Sequence, residues 1–191
     1  MQPFLILFRS YYGETKRKRG IFSLKMNKAE QLSAEELVSR YAKTVYRIAL
    51  SRLGNPADAE DITQEVLIKY INADKTFEDE DHRRKWIIRV AVNAVNSFAK
   101  SAWKRHTTEL EDAENVPCEP IQTNDEAEDI RRAVARLPEK YRVPIHLFYY
   151  EDLSVRDIAA AMSVSEGTVK SLLSRARAKL REILEEESYV G

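Results

Sequence analysis

Residues 152–170 read Asp152-Leu-Ser-Val-Arg-Asp-Ile-Ala-Ala-Ala-Met-Ser-Val-Ser-Glu-Gly-Thr-Val-Lys170, and a basic helical stretch follows them. The spacing predicts a helix-turn-helix. Ile158, Ala159 and Met162 would pack the first helix against Val164, Val169 and Leu172, a compact apolar wedge at the inter-helix angle. Ser165 can cap the second helix. Its outward positions carry Glu166, Thr168, Lys170, Ser171 and Ser174, then Arg175, Arg177, Lys179 and Arg181. Hydroxyls and amines there can read base edges or hold phosphates, whereas a face meant only for water would mix in more carboxylates.

Composition narrows the remainder. With 191 residues, 32% charged and few glycines or prolines, the chain suits a helix-rich protein of one large or two small domains. Its apolar runs all fall short of the roughly 20 residues a spanning helix needs, so direct membrane insertion is not expected. Cys118 is the single cysteine, which rules out an internal disulfide and fits a reducing compartment.

A net charge of zero hides segregation along the chain. Residues 1–25 hold six basic side chains against Glu14 alone. From Asp58 to Asp81 there are nine carboxylates and only Lys69 and Lys75; from Arg83 to Arg105 there are seven basic residues and no carboxylate. Residues 109–129 carry nine carboxylates and no cation. A basic block in an acidic chain is an electrostatic footprint for nucleic acid, and acidic blocks suit a basic protein partner.

Periodicity organises these blocks into an all-α protein of two small helical domains joined by a flexible acidic linker. Helical spacing begins near Ala34 with Leu37, Tyr41, Val45 and Ile48, breaks at Gly54-Asn-Pro56, resumes through Ile71, pauses over Asn72–Asp81 and returns from about Arg83 to Trp103. Residues 34–105 are therefore expected to form the first domain. Residues 106–124, with Pro117, Pro120 and many carboxylates, read as a linker. Extended, its 19 residues would span roughly 60–70 Å. Residues 125–187 form the second domain, with Leu137-Pro138 opening a helix that Pro144 is expected to bend. Residues 1–33 are an extension, expected to be dispensable, with Met26 a candidate initiator. Pro3-Phe-Leu-Ile-Leu-Phe8 precedes its basic residues, the wrong order for a secretory signal.

Two helices of the first domain carry opposite outward faces. Over Asp58–Tyr70, a step of about 100° per residue places Ala59, Ile62, Val66 and Tyr70 inward and Asp58, Asp61 and Glu65 outward with Ile68 beside them. Such a face is either a protein-docking patch or a solvated one with a stray isoleucine. Over Arg83–Arg105, Ile87, Val90, Ala94, Val95 and Phe98 share one side; Trp86, Arg89, Asn93, Asn96, Ser97, Lys100, Trp103 and Lys104 share the other. Interleaved ring, amide and cation suit unstacked bases. Trp86 equally fits a core position at the helix end, and Trp103 could pack against the linker.

Taken in order, these motifs resemble the bacterial sigma-70 family of RNA polymerase sigma factors, in its extracytoplasmic-function group. Asp58-Ala-Glu-Asp-Ile-Thr-Gln-Glu65 resembles the core-polymerase-binding motif, and Trp86-Ile-Ile-Arg-Val-Ala-Val-Asn93 the start of the −10 helix. Leu137-Pro-Glu-Lys-Tyr-Arg142 and Ser165-Glu-Gly-Thr-Val-Lys-Ser-Leu-Leu-Ser-Arg-Ala-Arg177 resemble the −35-binding domain. The resemblance implies that Asp58, Asp61, Gln64 and Glu65 face core polymerase, and that Phe77 and its neighbours form a loop receiving a flipped −10 base, with Asn93 beside it. It implies a cytoplasmic protein, no enzyme, acting with promoter DNA and an anti-sigma factor that is often membrane-anchored. Ser163 stands where the turn favours glycine, Ser97 replaces the usual aspartate, Leu172 replaces a frequent arginine, and Asp74–Asp81 is unusually acidic.

No cofactor or metal is expected: His82, His106 and His146 lack ligand spacing. Two other classes compete for parts of the pattern. A free-standing repressor would use the last third but leave the acidic helix and the Trp/Asn face idle. A nuclease would need a metal-binding carboxylate cluster, for which Asp79, Glu80 and Asp81 lie in a loop of no such pattern.

Overall fold

A computed structural model describes residues 32–73, 75–106 and 125–188, and every element in them is helical. Eight α-helices run α1 Ala34–Leu37, α2 Lys43–Leu53, α3 Pro56–Ile71, α4 Glu80–His106, α5 Asp125–Arg136, α6 Glu139–Ile145, α7 Val155–Met162 and α8 Glu166–Ser188. A π-helical turn, Val38–Ala42, joins α1 to α2; another, His146–Tyr150, follows α6. The extension up to residue 31 and most of the expected linker lie outside the described residues.

Local chemistry explains the boundaries. Ser33 and Glu36 form a reciprocal capping box at the start of α1. Gly54 ends α2 at φ 68°, a left-handed conformation that glycine adopts without a Cβ penalty. Asn55 then caps α3 and Pro56 supplies its first turn, where a missing N–H costs nothing. Pro144 sits inside α6, and the chain widens into the π turn directly afterwards, so the expected bend takes that form.

The first unit packs α2, α3 and α4 around Leu37, Tyr41, Val45 and Ile48, all buried at the expected spacing, with Ile62, Val66, Tyr70 and Ile87. In the second unit α8 lies on α5, α6 and α7. Its buried stripe is Val169, Leu173, Ala176, Leu180 and Ile183, in steps of four and three. The predicted wedge is therefore corrected at two positions: Val164 is 37% exposed, and Leu173 rather than Leu172 fills the core. Leu172 and Leu173 are adjacent, and only the direction from which α6 and α7 approach decides between them.

The units also touch each other. Helix α4 packs along α7, and α2 along α6. Arg52 pairs with Glu139, and the Arg47 guanidinium lies 4.4 Å from the Tyr150 ring centre. Ile88 and Val92, outside the single apolar side expected for α4, are buried too, as befits a helix covered from two directions.

Candidate docking and nucleic-acid faces

The outward face of α3 follows from its cap. Asn55 Oδ1 accepts the Ala57 and Asp58 amides at 2.9 and 3.4 Å, which fixes the helix start and so the rotation of all that follows. With Ala59, Ile62, Thr63, Val66 and Tyr70 inward, Asp61, Gln64, Glu65 and Ile68 are exposed and Asp58 is half-buried. Ile68 is 55% exposed and Ile71, one turn on, 49%; Val38, on the turn that packs against α3, is also exposed, at 52%. Sequence reasoning passed over Ile71 and Val38. Their signal is the same as for Ile68, an apolar residue off the buried stripe. Lys69 pairs with Glu65 one turn away, so a basic partner would compete with it.

On α4, Arg89, Asn93, Ser97 and Lys100 are exposed and Asn96 is half-buried, whereas the side chains of Trp103 and Lys104 lie outside the described residues. Trp86 is partly packed and partly open. It is half-buried, edge-on to Tyr70 and Phe77 at 6.0 and 5.6 Å, and its remaining surface lines an open cleft. Phe77 differs from expectation. Its ring is 3% exposed and stacks on Tyr70 at 5.7 Å, so it packs inward and is not an open platform. Lys75 Nζ sits 5.7 Å from the Phe77 ring and 5.5 Å from that of Trp86, giving the cluster a cationic lid. The cleft beside it, about 240 Å³, is walled by Lys75, His82, Lys85, Trp86 and Arg89 from the first unit and by α7 from the second.

The helix-turn-helix consists of α7 and α8. Ser154 caps α7 by accepting the Asp157 amide at 3.1 Å, and α7 ends at Ser163 in a left-handed conformation, φ 57° and ψ 44°. Serine there bears the strain that glycine would avoid. Ser165 Oγ accepts the Thr168 amide at 3.1 Å and starts α8. Ser165, Glu166, Thr168, Lys170, Ser171, Ser174, Arg175 and Arg177 are all exposed along it, with the apolar stripe opposite. The arrangement offers a helix N-terminus and a hydroxyl-rich first turn followed by guanidinium groups, a geometry able to enter a major groove and grip the flanking phosphates.

Two family models match this chain: Sigma-70 region 2 over residues 37–105 and Sigma-70 region 4 over residues 127–180. The ECF RNA polymerase sigma factor SigE of Mycolicibacterium smegmatis is 31% identical over 175 residues, covering 88% of this chain and 68% of that protein. The RNA polymerase sigma-E factor of Streptomyces coelicolor is 31% identical over 159 residues, with 81% and 88% covered. SigW of Bacillus subtilis is 27% identical, with 83% and 92% covered. Among solved structures, the sigma factor RpoE in complex with the anti-sigma factor NepR from Bartonella quintana shares the fold at TM-score 0.63 and 23% identity, covering 79% of this chain and 96% of that one. CnrH in complex with the cytosolic domain of CnrY matches at TM-score 0.53 and 19% identity, covering 95% and 97%. The chain belongs to the extracytoplasmic-function sigma factors of the sigma-70 family. It is a promoter-specific transcription initiation factor for RNA polymerase, a non-enzymatic one.

Proposed function

We propose that this sigma factor divides its work among three faces. Asp58, Asp61, Gln64, Glu65 and Ile68 on α3 dock core RNA polymerase, with Ile71 widening the apolar part. Trp86, Arg89, Asn93, Asn96, Ser97, Lys100 and Lys104 on α4 hold the opened −10 strand, beside the loop that carries Phe77. Ser165, Glu166, Thr168, Lys170, Ser171, Ser174, Arg175 and Arg177 read the −35 duplex. Residues 34–105 act as the core and −10 domain, 125–187 as the −35 domain, and 106–124 as the tether that lets the two reach separate elements.

The observation that carries this reading is the presence of opposite chemistries on one packed unit: carboxylates with apolar residues exposed on α3, and amides and cations exposed on α4 beside the half-buried Trp86 ring. A basic protein and an anionic strand can therefore be held at once without competing. An anti-sigma factor is a further proposed partner, supported by the resemblance to RpoE and CnrH, each solved with one. No helix among the described residues is long and apolar enough to cross a membrane. In this reading the chain works in the cytoplasm, with any membrane tether assigned to that partner.

The test is charge reversal. Asp61→Lys with Glu65→Lys should abolish co-purification with core polymerase while the circular dichroism of the chain stays unchanged, since both side chains are exposed. Retention of the parent's affinity would remove the docking assignment.

A further inference from the structure

Arg83 opens the basic block of α4, yet it stands apart from the exposed face assigned to the strand, being only 3% exposed. A guanidinium is costly to bury, and an apolar side chain of similar length would fill the same space without that penalty. Its surroundings show what the charge does. Arg83 donates to the Glu80 carboxylate across the first turn of α4, and its guanidinium lies 5.5 Å from the centre of the Phe77 ring. Glu80 also accepts the hydroxyl of Tyr41, on the π turn between α1 and α2, and Arg40 of the same turn stands 3.7 Å from it. Burial, and then Glu80 itself, push the Tyr41 hydroxyl above its ordinary value of 10.0, so it stays a donor.

Glu80 is thus gripped from two elements, and Arg83 passes that hold on to Phe77. The entry into α4 is fixed as closely. Asp79 Oδ1 accepts the His82 amide at 2.7 Å, and the His82 ring stands edge-on to Phe77 at 5.7 Å. With Tyr70 stacked on it and Trp86 edge-on, the Phe77 ring is where α3, α4 and the loop between them meet. Lys75, Thr76, Glu78 and Asp79, on either side of Phe77, are exposed and able to meet a base. Where they stand follows from where Phe77 is held.

We propose that Arg83 is a positioning residue for base recognition at −10: held by Tyr41 through Glu80, it fixes Phe77 and so sets the exposed loop residues beside it against the flipped base. The inference rests on the assignment of this loop and α4 to the opened strand. Hydrogen bonds to a base edge discriminate only at the right distance and angle, whereas attraction to phosphate is tolerant of both. A loosened loop therefore loses its preference among bases before it loses the strand.

The experiment uses holoenzyme assembled from the full chain and core polymerase, with fluorescent single-stranded −10 oligonucleotides in which each base is replaced in turn by the other three. The ratio of worst to best Kd at the most selective position reads discrimination. Arg83→Met, which keeps the length of the side chain and removes its charge, should lower that ratio about fivefold, the lower end of what one well-formed base contact supplies. Tyr41→Phe, which removes one hydroxyl, should lower it about threefold, and Arg83→Lys, which retains the cation, should restore part of it. Binding of a −35 duplex by the same holoenzymes should be unchanged, because α8 belongs to the other unit. Equal loss on all four bases at an unchanged ratio would reduce Arg83 to a structural role and overturn the proposal. Should Arg83→Met fold poorly, Tyr41→Phe decides by the same ratio, a fall supporting the proposal and an unchanged value opposing it. Failure of the strand assignment shows separately, as wild-type holoenzyme that prefers no base at any position.

Discussion

Truncating Ile68 isolates the apolar part of the docking face from its charge. The side chain is 55% exposed in the free protein, so about half of its surface remains to be covered by a partner. Full burial of an isoleucine side chain contributes roughly 1.5–3 kcal/mol, so half of that leaves about 1 kcal/mol, or about a fivefold change in Kd, for Ile68→Ala to remove. Stability should hardly move, because surface truncations away from caps and cores stay within about 0.5 kcal/mol. Affinity for core polymerase, measured by fluorescence anisotropy at low and high salt, separates two explanations. Loss of apolar contact is insensitive to salt, whereas the contribution of Asp61 and Glu65 is screened. An unchanged affinity, or a defect that disappears at high salt, would refute the assignment of Ile68 as an apolar anchor.

Three other perturbations follow from named features. Ser163→Gly relieves a left-handed serine worth about 1–2 kcal/mol against an entropic cost for glycine of about 0.5–1 kcal/mol, so calorimetry should show Tm rising by about 2 °C. A fall would mean that the serine hydroxyl compensates its strain. Burial would raise the Glu151 carboxyl, but His146 and Arg84 outweigh it and hold the group below its ordinary value of 4.5. Its folded value is the lower one, so its contribution is complete above that ordinary value and lost as pH falls through the depressed one. The stability gap between wild type and Glu151→Gln should therefore shrink as pH falls below the ordinary value of 4.5, and a gap of constant size would contradict the pairing. Arg175→Ala should reduce the salt slope of −35 binding by about one unit, while Lys170→Ala should also relax sequence preference. Equal loss on cognate and scrambled −35 DNA would make Lys170 a phosphate contact only.

Much of the fold was legible because local rules and packing agree. The stripe from Leu37 to Ile48, the punctuation at Gly54-Asn55-Pro56 and the left-handed turn at Ser163 each follow from periodicity or backbone chemistry within a few residues. Helix α4 begins at Glu80, three residues before the basic run that marked it, since charge composition does not report hydrogen bonding. What escaped is long-range. Nothing in the spacing of Phe77 says that its ring turns inward onto Tyr70, because a lone aromatic in a polar loop carries no period. Glu151 reads as one more surface carboxylate until α4 brings Arg84 against it. Ile88 and Val92 likewise look misplaced on a helix judged by one apolar side, and become sensible once α7 covers a second.

We propose that this chain acts on DNA through polymerase and that α4 holds the opened strand. Permanganate reactivity of thymines across a cognate promoter measures it most directly, with core polymerase alone, the chain alone, the two mixed, and the mixture carrying Asn93→Ala. Asn93 is exposed and supports no core packing, which makes it a clean probe. Unpaired thymines are expected near −10 only in the mixture, and few of them with Asn93→Ala unless the template is already mismatched there. Promoter-specific binding by the chain without polymerase, together with full reactivity in the Asn93 variant, would contradict it.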